Sequence, residues 1–508
     1  MSPDKQQVAM GLIFYPRGGS AQVTRYLSRA LDGAGWEVLL ACGSLGAAGT
    51  LTHAATFFDG LSVTAADYGP AIAARAVGRD PLQEPVPLHP SLEDGGDTAD
   101  RVFAAVSPRV GAHLVAAWER ILAGAWTDPP LFHLHHLTPI HEAVQRRWPA
   151  RPVLTHLHGT ELKMLDRIDR LADLARAFDT TLAGMANRAQ AATLPRPNGL
   201  SPEQRALFAS TDWTHWRFGA HWAELLGTLA RRSDRIVVIS PHGRDDALRL
   251  LGVDENRVEV IPNGVDTEHF DRRIASPQKR LSRWRRWLVT DPRGWDESGE
   301  PGSIRCGERD LRAFVDRETG EPSTVLLYVG RFLAFKRVPL LVRAYVRARP
   351  RFATPAPLVI WGGSPGEWGG EHPHTVARRE GGDGIFFVGW RGHEELPDGL
   401  ACADALVTPS VNEPFGLVLL EAMACGVPVI ATRSGGPLTF VNTESGSPNG
   451  WMVEPDDVDA LADALVEAVN DVDGRKERGE NAYEQIRRAY SWRMVAERFA
   501  ASYEAMAG

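Results

Sequence analysis

The feature that most restricts this chain is a two-beat pattern that runs, stops and starts again. Short apolar runs rich in β-branched residues alternate with stretches of helical spacing. In the first half the runs are VAMGLIFYP (8–16), EVLLACG (37–43), LFHLHHL (131–137), PVLTHLHG (152–159), RIVVIS (235–240) and VEVIP (258–262). Near-continuous runs of this kind suit strands covered on both faces. SAQVTRYLSRALDGAG and GRDDALRLLG have the spacing of crossover helices, so the repeated unit is strand, helix, strand around a parallel sheet. The alternation restarts with STVLLYVG (323–330), PLVIWGG (357–363), GIFFVGW (384–390), ALVTPS (405–410), PVIATR (428–433) and GWMVEP (450–455). At 508 residues the chain is too long for one core. The expectation is an α/β protein of two doubly wound, Rossmann-like domains, residues 1–271 and 322–490. Residues 272–321, rich in charge, Pro and Gly, are expected to be an insertion in the linker. Residues 84–100 are expected to form a long loop, 161–222 a helical excursion, and the tail SWRMVAERFAASYEAMAG a helix that must dock on a surface already built.

Composition excludes several function classes. A formal net charge of −8 gives no whole-chain attraction to nucleic acid, and no nucleic-acid partner is expected. Membrane association is not indicated, because no run reaches the roughly 18 to 20 apolar residues that cross a bilayer. Cys42, Cys306, Cys402 and Cys425 are scattered without ligand spacing, which favours reduced thiols in a cytoplasmic protein over disulfides or zinc. His133, His135, His136, His156 and His158 cluster at strand ends, but alternation sends neighbours to opposite faces and no acid or cysteine completes a site, so no metal is expected.

Open α/β sheets bind ligands beyond the carboxyl ends of their strands, which directs attention to the loops there. After the first strand, PRGGSAQV puts Gly18 and Gly19 before a helix with Ser20 as its cap: a tight turn, or amides offered to a phosphate. The loop is not G-x-G-x-x-G, which argues against a nicotinamide cofactor. After STVLLYVG, GRFLAFKR places Arg331 and Lys336 where a forked and a compact cation could hold a diphosphate, or where two surface charges could simply be solvated. In ALVTPSVNEPFGLVLLEAMACGVPVIATR, Glu413 sits in a loop and Phe415, Gly416 and Leu417 open a helix. Glu421 lies inside that helix among LVLL and AMACG, where a ligand hydroxyl pair explains a charge better than solvent does. His158, followed by Gly159 and Thr160, is the histidine best placed to reach a substrate.

Three stretches are specific together: RIVVISPHGRDDALRLLGVDENRVEVIPNGVDTEHF (235–270), LLYVGRFLAFKR (326–337) and ALVTPSVNEPFGLVLLEAMACGVPVIATRSGGP (405–437). In order and spacing the chain resembles the family 4 glycosyltransferases, retaining enzymes of the GT-B fold. The resemblance implies two domains facing a cleft, with the tail (about 491–508) crossing back to the N-terminal domain. It implies a nucleoside-diphosphate sugar, UDP- or GDP-linked, as donor substrate with no cofactor, and an acceptor hydroxyl bound by the N-terminal domain. By position Glu413 would meet the donor sugar, Glu421 the ribose, and Arg331 and Lys336 the diphosphate. Phe415, Gly416 and Leu417 would supply amides, Gly18 and Gly19 would lie against phosphate, and backbone at Trp390 and Arg391 would touch the base. His158 would stand near the reacting centre, with Trp216, His221 and His136 as candidate acceptor contacts. One departure is GGPLTFV, where the family often has an acid after GG-x-P.

The resemblance implies same-face attack by the acceptor hydroxyl with the leaving phosphate as base, and no divalent ion. A GT-B epimerase, a glycoside phosphorylase and a non-catalytic sugar-nucleotide-binding subunit are the alternatives. The tryptophans of DWTHWRFGAHW (212–222) and RWRRW (283–287) could stack on an acceptor ring or meet lipid headgroups, but their helical spacing favours core for the first and a solvated or domain-facing helix for the second.

Overall fold

The computed structural model describes residues 5–94, 100–316, 319–444 and 446–507. It divides into two units, Met1–Pro262 with Val495–Gly508, and Asn263–Met494. Part of the expected loop 84–100 lies outside the described residues.

Among its described residues unit 1 holds seven strands: β1 (Gln6–Leu12), β2 (Trp36–Ser44), β3 (Ser62–Asp67), β4 (Phe132–His135), β5 (Val153–Leu157), β6 (Arg235–Val238) and β7 (Val258–Val260). They are ordered β3-β2-β1-β4-β5-β6-β7, and every pairing is parallel. Burial on both faces explains the apolar runs: from Val8 onward β1 is wholly buried, as are β4 and β5. The helix Gly18–Gly33 turns Thr24, Leu27, Ser28 and Leu31 to the sheet, one stripe at helical spacing. The strand that the hydrophobic pattern missed, β3, is an edge strand with only Ala66 buried.

The excursion after β5 is helical as expected, but its tryptophans are core. Trp213, Trp216 and Trp222 are each 1% exposed or less, and the Trp222 indole N–H donates to the Val106 carbonyl at 2.8 Å. The C-terminal helix Trp492–Ala507 docks on unit 1 through Val495, Phe499 and Tyr503. There the Tyr503 hydroxyl lies 2.5 Å from His133 Nδ1.

Unit 2 holds β8 (Leu326–Gly330), β9 (Leu358–Gly362), β10 (Ile385–Gly389), β11 (Ala405–Thr408), β12 (Val429–Thr432) and β13 (Gly450–Val453). The order is β10-β9-β8-β11-β12-β13, again wholly parallel. Residues 272–321 are part of this unit. Trp284, Trp287 and Trp295 are each 1% exposed. Trp287 meets Trp361 of β9 edge-on with ring centres 4.9 Å apart, and Trp295 stacks on Phe332. RWRRW is therefore neither a solvated nor a ligand-facing helix. Backbone contact is equally close, since a Cβ on Gly389 of β10 would come within 2.0 Å of the Arg293 carbonyl oxygen. Arg280 bridges to Asp404 at 2.7 Å, so the charge that resembled a linker is used in ion pairs to the sheet end.

Candidate active site

In a doubly wound sheet the strand order reverses at one point, and the loops on either side of it diverge to leave a ligand crevice. In unit 2 that point lies between β8 and β11. The loop after β8 carries Arg331 and the short turn Ala334–Lys336; the loop after β11 carries Glu413. Lys336 Nζ donates to Glu413 Oε2 at 2.5 Å across the reversal, with the two side chains 17% and 14% exposed. Backbone holds the loops together, the Val411 amide donating to the Phe335 carbonyl at 2.8 Å. Tyr328 donates from its hydroxyl to the Arg331 carbonyl at 2.8 Å; burial, and then the charge of Glu413, push that phenol far above its ordinary range.

The Glu413 loop is held from beneath by Gly435 and Gly436. The Gly436 amide donates to the Glu413 carbonyl at 2.7 Å, and a Cβ on Gly436 would lie 2.2 Å from Phe415 Cα. Gly416, with φ of 94°, then turns the chain into the helix Leu417–Ala424, so that Leu417 opens its first turn. Phe415 is buried and packs against Phe440.

Glu421 has a protein partner that the sequence did not reveal. His393 Nε2 lies 3.0 Å from Glu421 Oε1, and the His393 ring stacks near His269 and meets Phe270 edge-on. The carboxylate therefore does not need a ligand diol to account for its place in an apolar helix. Trp390, three residues before His393, is 53% exposed. The Arg391 side chain, fully buried, is bound to Asp291 at 2.7 Å and to the Trp287 carbonyl at 2.9 Å, so only its backbone is left for a ligand.

In unit 1 the reversal lies between β1 and β4. Gly18 and Gly19 open the helix Gly18–Gly33 and are exposed; Gly18 has φ of 75°. Ser20 is not the cap. Arg17 occupies that position without a side-chain cap bond, and Ser20 lies within the first turn with its carbonyl accepting from Thr24 at 2.8 Å.

The histidines depart from the sequence expectation in a simple way. Residues two apart on a strand share a face, so His133 and His135 of β4 stand beside His156 of β5, with His158 following just beyond the strand end. His133 Nε2 is 3.2 Å from His156 Nδ1, and His135 Nδ1 is 2.9 Å from His158 Nε2. Burial holds these imidazoles neutral: His133 is pushed down to about 3, and His135, His156 and His158 well below the ordinary range. His133, His135 and His156 each bring a nitrogen within 4.8 Å of the others, a donor set suited to a zinc-like ion. Both nitrogens of His133 already meet other groups, so His133 could hold an ion only by giving up its contact with Tyr503 or with His156.

Beyond β4, His136 adopts φ of 60° and its Nδ1 lies 3.1 Å from the buried carboxylate of Glu161. Glu161 also accepts the His158 amide at 2.9 Å. Burial alone would raise this carboxyl, but His136 and the backbone amides outweigh it and draw it down. Trp216, buried and facing Arg167, has no ring face for an acceptor; His221 is half-buried, edge-on to Trp222. Glu161 and His393 were missed by sequence reasoning. Their signals were an acid directly after a strand-end Gly-Thr turn and a histidine directly after GWRG.

The family model described as Glycosyltransferase Family 4 matches residues 17–269, and that described as Glycosyl transferases group 1 matches 312–485. D-inositol 3-phosphate glycosyltransferase of Corynebacterium kroppenstedtii is 31% identical over 279 residues, 54% of this chain and 53% of the relative. The protein of that name in Corynebacterium jeikeium is 37% identical over 266 residues, covering 51% and 58%. The chain thus spans little more than half the length of these relatives. Among solved structures, sucrose-phosphate synthase from Thermosynechococcus elongatus superposes with a TM-score of 0.62 at 19% identity, covering 99% of each chain. Anabaena HepE in complex with UDP-glucose gives 0.56 at 15% identity over 98% of this chain and 99% of that one. These likenesses establish the GT-B fold, and with the two family models they show that the chain belongs to the group 1, family 4 glycosyltransferases.

Proposed function

We propose that the chain is a retaining glycosyltransferase that moves a sugar from a nucleoside-diphosphate donor, UDP- or GDP-linked, to a hydroxyl of a small-molecule, glycan or lipid acceptor without a divalent ion. The observation that carries this reading is the Lys336–Glu413 pair at the strand reversal of unit 2, beside Arg331 and the N-terminus of Leu417–Ala424. Departure of a nucleoside diphosphate builds negative charge on the bridging oxygen. Two cations, one of them held by a carboxylate, and the open amides of a helix stabilise that charge where it forms. The carboxylate of Glu413 holds the Lys336 ammonium in place for a phosphate. Glu413 then accepts donor-sugar hydroxyls and Glu421, steadied by His393, accepts those of the ribose. Backbone at Trp390 and Arg391 serves the base. In unit 1 the amides at Gly18 and Gly19 serve a phosphate oxygen, and His158 serves the reacting sugar.

In the transfer step the C1–O bond to the phosphate breaks and the acceptor oxygen bonds to C1 on the same face. The acceptor proton passes to the departing phosphate oxygen. HepE, whose structure holds UDP-glucose, supports a nucleotide-sugar donor, and the names of the relatives make a phosphorylated cyclitol the first acceptor to try. The test is product analysis with UDP- and GDP-sugars, with and without acceptor, in excess EDTA. A glycoside of retained configuration is expected. Free nucleotide with an epimerised sugar, formed without acceptor, would instead assign an epimerase.

A further inference from the structure

Among the described residues of unit 1 the most deeply placed carboxylate is that of Glu161, which is 0% exposed. A buried carboxylate is costly unless it is met by donors. Three surround this one: the His158 backbone amide at 2.9 Å, His136 Nδ1 at 3.1 Å and the Thr160 hydroxyl at 3.2 Å. The local backbone is shaped to bring them together. His136 adopts φ of 60°, a conformation few non-glycine residues take, and Gly159, at φ of 93°, turns the chain so that Glu161 folds back on His158. The result ties the turn after β4 to the turn after β5. The His136 and His158 rings pack at a tilt with centres 4.5 Å apart, so Glu161 reaches His158 by two routes, directly at its backbone amide and indirectly through the His136 ring.

We propose that Glu161 is a positioning residue that fixes the His158 imidazole for the transfer step, acting through the His158 amide and through His136. This rests on the role given to His158 under Proposed function. A clamp that merely held the two turns together would be replaceable by any group of the same shape. A carboxylate that holds an imidazole is not, because an amide offers one acceptor oxygen in place of two and carries no charge.

The test compares wild type with Glu161→Gln and Glu161→Asp for kcat, donor KM, nucleotide affinity and the resonances of ring-labelled histidine. Glu161→Gln is expected to lower kcat about tenfold or more at unchanged nucleotide affinity and to shift the His158 ring signals. Glu161→Asp is expected to restore part of the rate. Glu161→Gln with kcat within twofold of wild type and unmoved His158 signals would overturn the proposal. Should Glu161→Gln not fold, His136→Asn replaces it, since Asn tolerates the left-handed backbone but removes the ring through which Glu161 reaches the His158 imidazole. The same fall in kcat and ring shift are then expected, and their absence counts equally against the proposal. Wild type that transfers no sugar from any donor would sink the glycosyltransferase reading, whereas the ring shift would still judge whether Glu161 places His158.

Discussion

The two sheets tie together the loops at their carboxyl ends with opposite electrostatics. In unit 2 the loops after β8 and β11 meet through an ion pair, Lys336–Glu413, and His393–Glu421 lies close by; all four side chains stay partly exposed, between 13% and 21%. In unit 1 the loops after β4 and β5 meet at one sunken carboxylate, Glu161, beside the imidazoles of His135, His156 and His158, which burial keeps neutral. The difference teaches what each place can hold. Paired, partly exposed charge suits a polyanion such as a diphosphate, while a neutral imidazole wall gives direction through hydrogen bonds and is sensitive to protons.

The largest expected effect separates packing from recognition. Trp216→Ala should destabilise unit 1 by about 3–5 kcal/mol in denaturant unfolding, the range for a buried aromatic cut to alanine. A normal unfolding curve with a raised acceptor KM would instead return Trp216 to a ligand role. Next, Lys336→Ala should slow transfer on the order of 10²-fold, as does loss of one preorganised charge donor elsewhere. Turnover within twofold of wild type would remove Lys336 from the machinery.

Acid should distinguish the two units. His133 and His141 titrate at about 3 when folded, chiefly because of burial, against about 6.5 when unfolded. The unfolded chain therefore binds more protons in that interval, and stability, fully present above pH of about 6.5, falls as pH drops toward 3. Each such histidine removes about 1.4 kcal/mol per pH unit. Hydrogen exchange at stepwise lower pH should expose β4 and β5 before β8 and β11, and simultaneous loss would deny the contrast. The smallest effect is His393→Ala, which removes one hydrogen bond from Glu421, worth about 1 kcal/mol. Donor KM should rise roughly fivefold at constant kcat, and an unchanged KM would separate His393 from the donor site.

Much of this was legible in the sequence because a parallel sheet buried on both faces leaves a strong hydrophobic imprint. The runs overshot the strands, as in VAMGLIFYP, because Ile13 and Tyr15 beyond the end of β1 are buried too. The edge strand β3 left no such imprint. Residues 272–321 misled because charge and Pro dominate their composition, whereas three tryptophans decide their packing. Glu421 was read as awaiting a diol because His393, 28 residues earlier, meets it only through the fold. The histidine cluster was judged by neighbours facing opposite ways, although i and i+2 face the same way and adjacent strands bring two such pairs together.

The central claim is that unit 2 grips a nucleoside diphosphate with its own cations. Calorimetric titration of UDP and GDP into wild type and Lys336→Ala, in excess EDTA, tests it most directly. One nucleotide should bind wild type in EDTA and bind the variant many-fold more weakly. Binding that vanishes with EDTA, or equal affinity in both proteins, would contradict it.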